Sequence, residues 1–137
     1  MASVFSKIIA REIPAFIVAE DENCIAFLDV NPISLGHVLV VPKLEVDNIF
    51  DLSPEDYLSL WLFTQQIAIA LKICVPCKKV GVAVIGLEVP HAHIHLVPVN
   101  EVADINFSKP KLNLSKKDLE EMCELISSNV KSRPSLQ

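Results

Sequence analysis

Long apolar runs, a basic excess and a disulfide pattern are all missing from this chain of 137 residues. No uninterrupted apolar run reaches the roughly 20 residues that a bilayer crossing needs. The N-terminal Met1-Ala2-Ser3-Val4-Phe5-Ser6-Lys7 lacks a continuous signal-like apolar segment. The expectation is therefore a cytoplasmic protein with no membrane partner. Lys and Arg total 12 against 17 Asp and Glu, a formal net charge of −5. That balance argues against a nucleic-acid partner, whose binding rests on cations neutralising phosphates. Any phosphate ligand must be held locally, by imidazoles and backbone amides. Cys24, Cys74, Cys77 and Cys123 are not spaced as a secreted disulfide framework and are expected as thiols. Cys74-Val75-Pro76-Cys77 has the spacing of a redox or zinc knuckle, but no second Cys/His pair lies close by in sequence. A structural zinc takes four ligands, so ordinary thiols are expected there. Internal repeats and linkers are absent too. Residues 1–137 thus read as one domain, large enough to bury about two-thirds of its unfolded surface.

Histidine is what the chain does have, in one concentrated place. His91-Ala92-His93-Ile94-His95-Leu96-Val97 alternates imidazole with apolar side chains. On a strand, His91, His93 and His95 would share one face at about 7 Å per step, while Ala92, Ile94 and Leu96 face a core. Desolvating three imidazoles together is unfavourable, so packing alone does not explain them. Two chemistries suit the pattern. One is phosphoryl or acyl transfer, with a neutral imidazole as nucleophile or base near pH 7. The other is a metal site. Three successive same-face ligands span roughly 13 Å, too far to share one zinc with bonds of about 2.1 Å, but a His-x-His pair with His37 could hold the ion.

Local patterns order the rest of the chain. Residues 5–12 predict a short helix stopped before Pro14. Residues 16–20 and 24–29 read as a hairpin about the polar turn Asp21-Glu22-Asn23, and residues 37–42 as a central strand after Gly36. Ser53, Pro54 and Asp56 supply a cap, a first-turn proline and a capping-box partner, which predicts a helix from Pro54 to about Ile73. Its apolar residues spread too widely for one narrow stripe. That suits either an ordinary core helix or one covered by both its own sheet and a second subunit. A strand over 80–85 follows, and the short connection 86–90 predicts that the histidine strand is its antiparallel neighbour. Residues 104–113 are irregular, Ser115 begins a last amphipathic helix with Asp118 as capping partner, and 132–137 read as a frayed tail.

The run His91 to Val97 resembles the signature of the histidine triad (HIT) family, His-φ-His-φ-His-φ-φ with φ apolar, at every position. Further blocks are similar in the same order: Phe5-Ser6-Lys7-Ile8-Ile9, Glu12-Ile13-Pro14, Glu20-Asp21, Phe27-Leu28-Asp29, and Gly36 through Lys43. The resemblance covers about residues 4–98 and leaves 99–131 as a C-terminal extension. It implies an α+β, HIT-like fold: an antiparallel sheet of about five strands with a long helix and a C-terminal helix, usually in a homodimer that joins two sheets. It implies a nucleotide hydrolase or transferase acting on phosphoramidates, diphosphate conjugates or dinucleoside polyphosphates. His93 would be the nucleophile at the α-phosphate. His91 and His95 would flank it and stabilise charge, with His95 also placed to protonate the leaving group and His37 as the fourth histidine nearby. Asp29 matches the acid that binds ribose hydroxyls. Phe5, Ile8, Ile13 and Phe27 match the apolar walls around the base, with Val4 a possible edge. No cofactor and no resident metal are implied.

Two departures qualify that likeness. Relatives with strong phosphoramidase activity carry an Asn-x-Gly loop and a Gln-Ser or Gln-Thr pair before the first histidine, where this chain has Gly86-Leu87-Glu88-Val89-Pro90. Leu87 and Glu88 stand in place of the pair, and Glu88 is expected to point away from phosphate. Many bacterial relatives also carry a Cys-x-x-Cys zinc knuckle where this chain has Ser3 and Ser6, so that zinc is not expected. The alternatives left are a nucleotide-binding module with little turnover and a zinc hydrolase using the histidine cluster.

Overall fold

The computed structural model describes residues 2–131, so the expected frayed tail at 132–137 lies outside the described residues. Alternation of side chains builds its centre. Strands β1 (Ile17–Glu20), β2 (Cys24–Leu28), β3 (Val38–Pro42), β4 (Lys79–Ala83) and β5 (Ile94–Val99) form one antiparallel sheet in the order β1-β2-β3-β5-β4. The hairpin expected at 16–29 closes as read, with Asp21 Oδ1 accepting from the amides of Asn23 and Cys24.

Both faces of the central strands are covered. Cys24, Ala26, Leu28, Val38, Val40, Ile94 and Leu96 face one core, and Ile25, Phe27, Leu39 and Val41 face another. Helix α2 (Pro54–Cys74) covers the first. Its buried Leu60, Phe63, Thr64, Ile67, Ala70 and Leu71 recur at helical spacing, and each large apolar one contributes roughly 1.5–3 kcal/mol by leaving water. Ser53 caps it through the Asp56 amide. By length and mean hydropathy of 1.3, α2 is long and apolar enough to cross a membrane, which the reading of uninterrupted runs overlooked because scattered polar residues break them. Here it packs across β2, β3, β4 and β5 as the core helix. Helix α3 (Lys116–Asn129) carries the expected capping box between Ser115 and Asp118 and adds Leu119 and Ile126 to the same core.

On the other face, α1 (Val4–Ile9) sets Phe5 and Ile8 against Ile25, Phe27, Leu39 and Val41. It is shorter than the expected 5–12 because Arg11 adopts φ 63, a left-handed conformation that ends the helix, and the amides of Glu12 and Ile13 turn back to the Lys7 carbonyl. The histidine strand also differs from expectation. Pairing begins only at Ile94, since the Ala92 amide binds the Val46 carbonyl and the His91 carbonyl is taken by the His93 side chain. The alternation of faces survives: Ala92, Ile94 and Leu96 enter the α2 core, and His95 sits opposite Leu39 on the α1 face.

Candidate active site

Ring nitrogens can be read as donors or acceptors wherever their partner can play only one part. His93 Nδ1 lies 2.7 Å from the His91 carbonyl, so it carries the proton and leaves the Nε2 lone pair free. That is the backbone-fixed tautomer expected of a nucleophile. His37 Nδ1 lies 3.3 Å from the Ile33 amide and must accept, so the proton of His37 is on Nε2. That Nε2 lies 2.9 Å from His95 Nδ1 and donates to it. The proton of His95 is therefore on its own Nε2. Neither His93 Nε2 nor His95 Nε2 has a partner among the described residues, and neither is sealed from solvent, so both open on the cavity.

His91 is different. It is fully buried, its Nε2 donates to the Pro42 carbonyl at 2.8 Å, and its Nδ1 accepts from the Ser3 hydroxyl at 2.7 Å. With both nitrogens engaged away from the cavity, it has no group left for a phosphoryl oxygen, contrary to the charge-stabilising part given it from sequence. Its carbonyl acts instead, by fixing His93. Behind it, Glu45 Oε1 accepts from the Ser3 amide at 2.6 Å and the Ser6 hydroxyl at 2.7 Å, which lowers the Glu45 carboxyl to about 2. Ser3 also caps α1 through the Ser6 amide. A zinc ion does not fit this bracket: the two hydroxyls stand where thiolates would be required, and each is already hydrogen-bonded.

Burial disfavours the charged form of three of the imidazoles. Desolvation lowers His37, His91 and His95, the last to about 3, with nearby charges adding smaller effects. Asp29 Oδ2 is 3.7 Å from His37 Nε2, and Asp29, His37 and His95 bring one donor atom each within 4.8 Å of one another. A cation there would have to displace the proton shared between the two rings, while the Ile33 amide blocks its transfer to His37 Nδ1. The zinc reading with His37 as ligand is thus disfavoured by the donor set itself.

A cavity of about 310 Å³ joins these groups, with Phe5, Asp29, His37, His93 and His95 in its wall. Phe5 meets His93 edge-on at 4.9 Å between ring centroids. Asp29 Oδ1 also accepts from the Asn31 amide at 2.9 Å, so the residue shapes its turn and keeps Oδ2 for the cavity. Ile8, Ile13 and Phe27 do not reach the wall and pack behind Phe5 in the α1 core. The 86–90 loop forms the rim, with Leu87 and Glu88 exposed. Phe107 and Lys111 are among the lining residues that the sequence reading did not assign to the site. Both lie in the irregular stretch 104–113, which has no periodicity to mark them. Cys74 and Cys77, at the end of α2 and beyond it, form no disulfide.

Residues 10–102 match the family model for the HIT domain. An uncharacterised HIT-like protein of Borreliella burgdorferi is 31% identical over 135 residues, spanning 93% of this chain and 97% of its own. The adenosine 5'-monophosphoramidase of Schizosaccharomyces pombe is 30% identical over 134 residues, 96% of this chain and all of its own. Among solved structures, a HIT-like protein of Bartonella henselae described as involved in cell-cycle regulation superposes with a TM-score of 0.80 at 30% identity, covering 93% of this chain and 95% of that one.

Proposed function

The chain belongs to the HIT family, and from that premise we propose that it is a nucleotide hydrolase or transferase that attacks an α-phosphate through a nucleotidyl-His93 intermediate. The free Nε2 of His93, aimed into the cavity by the His91 carbonyl, carries the reading. Its lone pair forms the N–P bond as the bond from phosphorus to the leaving group breaks; the leaving group departs with that electron pair, and a nitrogen leaving group also takes the His95 Nε2 proton, which solvent restores. Water then attacks phosphorus, the P–N bond returns its pair to Nε2, and the nucleoside monophosphate is released with a proton lost to solvent. His95 donates its Nε2–H to a phosphoryl oxygen where negative charge gathers. His37 and His91 are positioning residues. Asp29 Oδ2 accepts from ribose hydroxyls, and Phe5 supplies the apolar wall for the nucleoside.

Two copies pair to join their sheets. β4 is an edge strand, and Val82, Val84 and Ile85 on it and just after it are exposed, as are Leu58, Ile69 and Ile73 on α2. One observation favours a second reading, nucleotide binding with little turnover: the rim loop offers no side-chain amide or hydroxyl to a leaving group. A single experiment separates the two. Incubated with adenylyl phosphoramidates and polyphosphates, the protein is expected to release adenosine 5'-monophosphate, and His93→Ala to lose at least about a thousandfold in kcat while binding the mononucleotide within about threefold. Mononucleotide binding without release by the unaltered protein would establish the second reading instead.

A further inference from the structure

The stretch just past the matched HIT domain reaches back into the cavity. Its end is tied down where the Leu112 amide donates to the Pro32 carbonyl at 2.8 Å, next to the turn that carries Asp29. Between the tether and the sheet, Phe107 lays its ring against His95 at 4.7 Å and against His37 at 6.1 Å. Lys111 Nζ sits 5.8 Å from the centre of that ring and donates to the Phe107 carbonyl at 2.7 Å. Lys111 has no carboxylate partner among the described residues. Among the described residues it is the one lysine or arginine in the cavity wall, which Asp29 and Glu88 also line.

An α-phosphate over His93 and His95 is served by imidazole. A further anionic group on the same ligand would share the cavity with the Asp29 and Glu88 carboxylates and, without Lys111, with no lysine or arginine among the described residues. We propose that Lys111, held over Phe107, binds a second anionic group of the nucleotide, so that the site selects ligands charged beyond the α-phosphate. This rests on the nucleotide reading of the cavity and narrows it to a substrate class. The extra charge can belong to the leaving group, as a second phosphate or a sulfate, or to a phosphate on the ribose that Asp29 touches. Either source presents oxygens to an ammonium with two free N–H donors. Its field already bears on the imidazoles, since Lys111 is among the charges that lower His37 and His95.

Calorimetric titration of the whole protein with adenosine 5'-monophosphate, adenosine 5'-diphosphate and adenosine 3',5'-bisphosphate tests this without relying on turnover. At low salt, one of the two doubly phosphorylated ligands is expected to bind about fivefold more tightly than the monophosphate, and which one does so identifies the source of the charge. Lys111→Ala should abolish that preference, Lys111→Arg should restore most of it, and salt near 0.5 M should shrink it in the unaltered protein. Lys111 is exposed and, among the described residues, its side chain bonds only to its own loop, so these variants should fold. A monophosphate that binds as tightly as both others, or a preference that survives Lys111→Ala, would overturn the inference and leave the nucleotide reading standing. Failure of all three to bind would overturn both.

Discussion

A side chain in this cavity acts through whichever atom its other contacts leave free. Asp29 shows the division most plainly, with Oδ1 committed to the Asn31 amide and Oδ2 turned to the cavity beside His37. Asp29→Ala is expected to weaken a ribonucleotide about tenfold and its 2'-deoxy counterpart only about twofold, measured by calorimetry, because two hydroxyls are lost as partners in one case and one in the other. An equal loss for both ligands would mean that the carboxylate serves only the turn. The same division separates the histidines: His93 and His95 each keep Nε2 for the cavity, whereas His91 keeps neither nitrogen.

Elements bring those atoms together, and the bend before β3 is the tightest of the joints. Gly36 has φ +87, and a Cβ there would lie 2.9 Å from Val75 Cγ2 and 3.3 Å from Pro98 Cγ. The bend lets the His37 amide donate to the Ser34 carbonyl and its own carbonyl accept from the Asp29 amide, which locks the ring against His95. Gly36→Ala combines left-handed strain with a clash against side chains of the core. A loss of about 1–3 kcal/mol is expected in urea unfolding. An unchanged midpoint would show that the bend relaxes freely. Helix α1 has a comparable double duty, since its cap residue Ser3 also holds His91.

Over the whole molecule, burying neutral imidazoles makes stability depend on pH. The unfolded chain protonates His37, His91 and His95 near 6.5, whereas burial delays their protonation in the fold, for His95 to about 3. Between those values the unfolded state binds more protons, so stability falls as pH falls. Glu20, lowered chiefly by its hydrogen bond with Lys43, and Glu45, lowered by Ser3 and Ser6, extend the loss through the carboxylate range below 4.5. The urea midpoint is therefore expected to decline from about pH 6.5 downward, before carboxylates titrate. His95→Asn should flatten the slope between pH 6.5 and 5, and a midpoint level from pH 7 to 5 in the unaltered protein would refute this account.

Sequence alone determined what local rules can determine. The short apolar runs bounded by turn residues specify β2 and β3, Ser53 and Ser115 announce the starts of α2 and α3, and the alternation of His91, His93 and His95 with apolar residues locates the chemistry. Each depends on neighbours within a few positions, which the chain order displays directly. Tertiary structure decided how the nitrogens of His91 and His95 are used, because the deciding partners, Ser3, Pro42 and His37, approach from other segments, whereas the His91 carbonyl and the Ile33 amide that set His93 and His37 lie within four residues of them. It also separated Phe5, at the cavity, from Ile8, Ile13 and Phe27 behind it, a distinction that apolar character alone does not carry. Phe107 and Lys111 belong wholly to this second kind: an aperiodic stretch gives no sign of where it lies until the Leu112 amide and Pro32 carbonyl tie it across the site.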